Sequence, residues 1–93
     1  MTIEELRQEF PSLSASVNGH PLVYLDNAAT AMRPRSVIEK WNDIVTNKNS
    51  NIYRAVHTTA ALATKEVEQA RECVRRFIGA ESTKEVIFTS GAT

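Results

Sequence analysis

At 93 residues, of which 42% are hydrophobic and 24% charged, the chain is long enough for one small globular domain and too short for two. Eleven basic residues balance eleven acidic ones, so no net field attracts nucleic acid or an anionic membrane. The single cysteine, Cys73, excludes an internal disulfide framework, and no stretch approaches the roughly 20 apolar residues of a membrane span. We therefore expect a cytoplasmic protein without a metal site.

The first predicted element is a short helix. Thr2 and Glu5 have the T-x-x-E spacing of a capping box, and Pro11 should end the helix. The Asn18-Gly19 pair then predicts a tight turn, because both residues accept a positive φ.

A strand and a second helix are expected next. The apolar run LVYL at residues 22–25 predicts the strand. Pro34 suits the first turn of a helix that should continue to about residue 47, since apolar residues recur at steps of three and four. We expect Trp41 on this helix to pack in the core. A polar stretch at residues 47–51 should form a loop to the next element.

The longest predicted helix covers residues 59–78, with Gly79 as its C-terminal cap. One face of this helix is apolar and should be buried, at Ala63, Val67, Ala70, Val74 and Phe77. The exposed side should carry ion pairs, of Glu68 with Arg71 and of Glu72 with Arg75 and Arg76. Residues 85–89 (EVIFT) then predict a strand that runs into the small residues SGAT at 90–93.

Several of these residues are candidates for binding. A strand followed by a small-residue turn such as 90–93 is the first half of an anion cradle, although ordinary turns have the same composition. The adjacent Ala28 and Ala29 would let a planar ligand approach the backbone; the alternative is an ordinary turn that Asp26 and Asn27 cap. His57 and Arg54 could supply a titratable group and a carboxylate-binding fork, whereas a single histidine is more often structural.

Three segments, in this order, resemble motifs of the class V aminotransferase family: VYLDNAAT at 23–30, YRAVHT at 53–58 and EVIFTSGAT at 85–93. The resemblance is closest to cysteine desulfurases of the sulfur-mobilisation type and to selenocysteine lyases. It implies an α/β fold, the N-terminal part of a fold-type-I transferase that depends on pyridoxal 5'-phosphate and works as a homodimer. This chain would be a single incomplete domain of that enzyme, mostly helical, with two or three short strands.

The resemblance also assigns roles to individual positions. Thr93 and Ala92 match the segment that binds the cofactor phosphate. The positions that match substrate-binding segments are Ala28, Ala29, Arg54 and His57. The segment that contains Arg54 and His57 corresponds to a loop at the mouth of the active site. The chain departs from the family there, because Tyr53 and Ala55 flank Arg54 where His-Arg-Gly is usual.

The chemistry implied by the resemblance is the conversion of L-cysteine to L-alanine and enzyme-bound persulfide sulfur, used for iron–sulfur cluster or other thio-cofactor assembly. It requires a Schiff-base lysine for the cofactor and a nucleophilic cysteine, and neither is present here in its family context. We therefore assign no catalytic residue and expect the isolated chain to be inactive. The alternatives within the family are a selenocysteine lyase, with L-selenocysteine as substrate, and another class V aminotransferase. The expected partner is a sulfur-acceptor protein.

A second interpretation belongs to another class of protein. The chain could be a stand-alone interaction module that binds no cofactor and associates with a second copy, because unpaired strand edges promote association.

Overall fold

The structure, a computed structural model, describes residues 1–49, 52 and 57–92. The chain divides into two compact units, Met1–Asn47 and Lys48–Thr93. The expectation of one incomplete domain stays a prediction. Among the described helices, none combines the length and the apolar character needed to cross a membrane.

The first unit begins with helix α1, Ile3–Gln8. The predicted capping box is confirmed: the Thr2 hydroxyl accepts from the Glu5 backbone N–H at 3.1 Å, and the Glu5 carboxylate accepts from the Thr2 backbone N–H at 2.6 Å. The helix ends before the predicted stop. Pro11 begins a separate 3-10 helix, Pro11–Ser14, because its fixed φ suits a first helical position.

A small hairpin follows. Strands β1, Ser16–Val17, and β2, His20–Pro21, pair in antiparallel fashion. The predicted turn between them is confirmed, since Asn18 has φ 53° and Gly19 has φ 78°. Two successive residues with positive φ are the geometry of the tight hairpin turns that match strand twist.

The predicted strand at residues 22–25 is wrong. The Leu22 backbone N–H donates to the Ala15 carbonyl at 3.0 Å, and the residues beyond it form no strand. Side chains still alternate, because Leu22 is half-buried whereas Val23 and Leu25 are 79% and 90% exposed. Among the described residues, no other strand pairs with this apolar run. Because a β-strand is defined by its hydrogen bonds to a neighbouring strand, the run does not form one.

Helix α2 covers Arg35–Asn47 and confirms the predicted second helix. The Pro34 carbonyl accepts from the backbone N–H groups of Val37 at 3.0 Å and Ile38 at 3.2 Å. The helix is tied to the end of α1 by the Arg35 backbone N–H, which donates to the Glu9 carbonyl at 2.7 Å. These bonds fix where the helix starts.

The expectation that Trp41 packs in the core is wrong, because its side chain is 69% exposed. The apolar residues that gave α2 its helical periodicity are also exposed, at Val37, Ile38, Ile44 and Val45. Periodicity identified the apolar face correctly, but the residues on this face remain exposed.

The second unit is built on helix α3, Thr58–Ile78, which confirms the longest predicted helix. Gly79 caps it as predicted, with a φ of 73° in the left-handed region. The backbone N–H of Gly79 donates to the Arg76 carbonyl at 3.3 Å, and that of Ala80 donates to the Arg75 carbonyl at 3.0 Å. These bonds satisfy carbonyls that the end of a helix otherwise leaves unpaired.

The predicted burial of one face of α3 is wrong for most of its length. Ala63 and Val67 are half-buried, but Ala70 and Val74 are exposed and Phe77 is 91% exposed. Of the described hydrophobic residues, only Ala60 and Val86 are buried, at 0% and 6% exposure. A chain of this size has too little other structure to cover two amphipathic helices.

The predicted strand at residues 85–89 is also wrong. Glu85, the first residue of the predicted strand, instead belongs to a 3-10 helix, Thr83–Glu85. Ser82 and Glu85 form a capping box at the start of this helix. The following residues, 86–89, have no strand partner in the described part of the chain. The described elements remain consistent with a mostly helical α/β chain that has two short strands.

Candidate functional site

The predicted substrate segment forms a closed turn in the first unit. The Tyr24 hydroxyl donates a single, shared hydrogen bond to the carbonyls of Thr30 at 2.6 Å and Asp26 at 3.0 Å. The Asp26 carbonyl also accepts from the backbone N–H groups of Ala29 at 3.1 Å and Thr30 at 3.3 Å. A phenol from the preceding extended segment thus fixes both ends of the turn.

Ala28 and Ala29 lie on this turn and are exposed. Next to the turn is an open groove of about 460 Å³. Its lining residues are Arg7, Phe10, Leu13, Tyr24, Asn27, Ala31 and Met32. The two alanines therefore present only methyl groups to an approaching ligand, and their substrate role stays a prediction.

His57 is the N-terminal cap of α3 in the second unit. Its Nδ1 accepts from the Ala60 backbone N–H at 3.2 Å, so this nitrogen carries no proton in that bond. The His57 carbonyl also accepts from the Ala61 backbone N–H at 3.0 Å. The histidine therefore has a structural role, and its predicted substrate role stays a prediction.

Two of the predicted site residues, Arg54 and Thr93, lie outside the described residues. Ala92 is described and exposed at the end of the small-residue turn. In that turn the Thr89 hydroxyl donates to the Gly91 carbonyl at 2.9 Å.

The small-residue turn, residues 89–92, fits the phosphate of the predicted cofactor. A Cβ added at Gly91 would meet nothing within 4 Å, so the backbone is open to a ligand. Ser90 is exposed and contributes a hydroxyl donor. Phosphate sites are built from such donors and accessible backbone N–H groups. The turn can therefore supply one side of a phosphate cradle.

Arg71 on α3 holds the segment that leads to this turn. Its Nη1 donates to the Val86 carbonyl, and its guanidinium lies 4.9 Å from the centroid of the Phe88 ring. Its Nε is 3.6 Å from a Glu68 carboxylate oxygen, which confirms the predicted ion pair. Sequence reasoning missed the contacts with Val86 and Phe88, because no local pattern connects a helix residue to a carbonyl 15 positions later.

The other predicted ion pairs on α3 are confirmed as well. Arg75 binds the Glu72 carboxylate through two nitrogens, at 2.7 and 2.8 Å, and Arg76 lies 3.2 Å from it. The hydrogen bond from Arg75 lowers the pKa of Glu72, and the same bond raises the pKa of Arg75. Arg75 also donates to the Ala80 carbonyl at 2.8 Å, so it stabilises the end of the helix.

The lysines lie at the surface of the chain. Lys40, Lys65 and Lys84 are exposed, and half-buried Lys48 pairs with Glu66 at 2.8 Å. A lysine that attacks a carbonyl needs a desolvated environment, whereas three of these lysines are exposed and the fourth is held in an ion pair. In the part of the chain that is described, no three acidic, histidine or cysteine side chains form a group that could hold a metal ion.

Residues 23–93 match the model of the class V aminotransferase family. The match covers well over half of the chain, so the chain belongs to this family. The resemblance predicted from the three motifs is thereby confirmed. Enzymes of this family use pyridoxal phosphate.

Curated relatives add detail. The chain is 53% identical over all 93 residues to a "Probable cysteine desulfurase" of Halalkalibacterium halodurans and covers 23% of it. A "Probable cysteine desulfurase" of Vibrio cholerae is 45% identical over 93 residues, again with 23% covered. A "Cysteine desulfurase" of Synechococcus elongatus is 48% identical over 91 residues, 98% of this chain and 14% of that protein. The chain thus spans less than a quarter of each of these relatives.

Proposed function

We propose that the chain is the N-terminal segment of a longer, pyridoxal-phosphate-dependent cysteine desulfurase. The complete enzyme would convert L-cysteine to L-alanine and leave the sulfur as a persulfide on a cysteine of the enzyme. The observation that carries this proposal is 53% identity across all 93 residues to a probable cysteine desulfurase. An unrelated module would not be expected to keep such similarity from end to end.

The proposed cofactor contact is the small-residue turn together with Thr93, which follows it, with Ala92 and Thr93 on the phosphate. When bound, the cofactor supplies an electron sink for the α-carbon of the substrate. The accessible backbone at Gly91 supports this assignment. The cofactor phosphate would then be held by hydrogen bonds from the turn and from a helix that follows it in the complete enzyme.

The proposed substrate contacts are Ala28, Ala29, Arg54 and His57. The alanines are exposed on a turn that Tyr24 holds closed, which leaves room for a ligand beside the backbone. Arginine binds carboxylates through a planar fork of N–H donors, so the residue type at position 54 suits a substrate carboxylate.

The isolated 93-residue chain is proposed to be inactive. Its described lysines are exposed or paired, as Lys48 is with Glu66, and Cys73 is exposed on a helix. The Schiff-base lysine and the nucleophilic cysteine would lie in other parts of the complete enzyme. That enzyme is proposed to be a cytoplasmic homodimer that passes sulfur to an acceptor protein.

The test uses two proteins, the complete polypeptide that contains these residues and the 93-residue chain. Each is mixed with pyridoxal phosphate, freed of excess cofactor, and assayed for bound cofactor and for alanine release from L-cysteine. We expect a stoichiometric cofactor and alanine from the complete protein only. A complete protein that binds no pyridoxal phosphate would overturn the proposal.

Assays of the same two proteins test two alternative functions. If L-selenocysteine is turned over far better than L-cysteine, the enzyme is a selenocysteine lyase of the same family. The second alternative is a self-associating module without cofactor, which the exposed Trp41 and Phe77 favour. A stable oligomer of the 93-residue chain, together with no cofactor binding by any longer product of the gene, would support the module.

A further inference from the structure

We propose that Arg71 is the positioning residue for the small-residue turn, and hence for the cofactor phosphate. This inference rests on the proposed function, because it assumes that residues 89–92 hold that phosphate. Arg71 itself would not touch the cofactor. It would act through the segment at 86–88, which lies between the helix α3 and the turn.

Three contacts of Arg71 carry the proposal. Its Nη1 donates to the carbonyl of Val86, a residue that is only 6% exposed. Its guanidinium lies 4.9 Å from the centroid of Phe88, within the range of a cation–π interaction. Its Nε faces Glu68 at 3.6 Å, and this pair fixes the side chain on the helix. One planar guanidinium thus binds both the first and the third residue of the segment.

The segment needs such an anchor. Among the described residues, no strand pairs with 86–89, so hydrogen bonds of a ladder do not fix its path. The backbone N–H of Val86 donates to the Thr83 carbonyl at 3.1 Å, and the Val86 carbonyl accepts from Arg71. Thr89, whose hydroxyl closes the small-residue turn on Gly91, follows one residue after Phe88. Holding Val86 and Phe88 in place therefore also restricts the position of the turn that follows them.

The geometry of the guanidinium explains why an arginine is suited to this position. A carbonyl, a ring face and a carboxylate surround one side chain, and a planar fork with five donors can serve all three at once. The ammonium group of a lysine keeps the positive charge, but it is compact and cannot contact all three groups at once. The lysine variant should therefore hold the segment less well than arginine and better than alanine.

The experiment uses the complete polypeptide with three variants, Arg71→Ala, Arg71→Lys and the control Arg76→Ala. Arg76 is on the same helix and pairs with Glu72, but it is 71% exposed. Dissociation constants are measured by fluorescence for pyridoxal phosphate and for pyridoxal, which lacks the phosphate. Circular dichroism and thermal unfolding report whether each variant is folded.

We expect Arg71→Ala to weaken binding of pyridoxal phosphate by about tenfold or more, comparable to the loss of metal affinity when a residue that orients a metal ligand is removed. Binding of pyridoxal should change much less. Arg71→Lys should lie between Arg71→Ala and the wild type, and Arg76→Ala should match the wild type. The phosphorus NMR signal of the bound cofactor should shift in the two Arg71 variants.

The outcomes separate the two proposals. A wild-type protein that binds no pyridoxal phosphate overturns the proposed function and this inference with it. A wild type that binds, together with Arg71 variants that bind equally well, overturns only the inference. Equal losses for pyridoxal phosphate and pyridoxal would also overturn it, because the effect would not involve the phosphate. If Arg71→Ala fails to fold, the folded Arg71→Lys variant decides between these results.

Discussion

The imidazole Nδ1 of His57 lies 3.2 Å from the backbone nitrogen of Ala60 and accepts its hydrogen bond. Ala60 has no exposed surface, so the cap fixes the one fully buried residue of α3. A residue that family resemblance assigns to substrate binding therefore also begins the longest helix.

Replacing His57 should separate these two roles. His57→Ala should lower the free energy of unfolding by about 1 kcal/mol, because the helix loses its cap, whereas His57→Asn should keep most of it. Urea unfolding of the complete protein measures this difference. If His57 also contacts substrate, His57→Asn should raise the KM for L-cysteine while stability is preserved. Equal stability of His57→Ala and wild type would contradict the capping role.

The bidentate contact between Arg75 and Glu72 should make helix stability depend on pH. The pKa of Glu72 is lowered from its ordinary value of 4.5, first by the hydrogen bond from Arg75. A group with a lowered folded-state pKa stabilises the fold above its ordinary pKa, and this contribution is lost as pH falls through the folded value. The wild-type chain should therefore lose helix content below about pH 4.5 more steeply than Glu72→Gln.

Circular dichroism at the helix band, followed during acid titration, measures this difference. The matched control is measured in the Arg75→Gln background. Adding Glu72→Gln there should change the acid titration less than it does in the wild type, because the hydrogen bond that mainly lowers the pKa of Glu72 is absent. Identical titration curves for wild type and Glu72→Gln would show that the contact contributes nothing to stability.

Gly79 should be sensitive to substitution for a conformational reason. Its φ of 73° is left-handed, and a Cβ there would meet nothing within 4 Å. Gly79→Ala should therefore cost about 1 kcal/mol through backbone strain alone, and Gly79→Asn should cost less. Gly91→Ala is the control, measured without pyridoxal phosphate, since its surroundings are equally open and its φ is not in the left-handed region. Thermal unfolding of the three variants tests the order.

The Tyr24 hydroxyl should hold the turn that carries Ala28 and Ala29. Tyr24→Phe removes the bonds to the Asp26 and Thr30 carbonyls and should cost about 1 kcal/mol. The amide hydrogens of Ala29 and Thr30 should then exchange faster. Val23→Ala, at an exposed neighbouring position, should leave their exchange rates unchanged. Unchanged exchange in Tyr24→Phe would mean that the turn is stable without the phenol.

Features that depend on neighbours in sequence were predictable. The capping box of Thr2 and Glu5, the Asn18-Gly19 turn and the Gly79 cap each involve residues at most a few positions apart. The ion pairs on α3 are predictable for the same reason, because helical spacing alone brings their partners together. The family was also recognisable, since three short motifs occur in a fixed order.

Features that depend on distant residues were not predictable in the same way. The apolar runs at 22–25 and 85–89 have strand composition, yet a strand forms only where another backbone accepts its hydrogen bonds. The exposure of Trp41 and Phe77 has a similar cause, because periodicity identifies an apolar face without saying what covers it.

By itself, then, the sequence determined the three helices, their caps, the hairpin turn and the family, because each follows from local hydrogen bonding or from ordered motifs. Only the tertiary structure decided that Arg71 binds Val86 and Phe88, and that Tyr24 holds the turn at Asp26 and Thr30 closed. A long side chain can reach many carbonyls and rings, and the path of the folded backbone determines which of them it contacts.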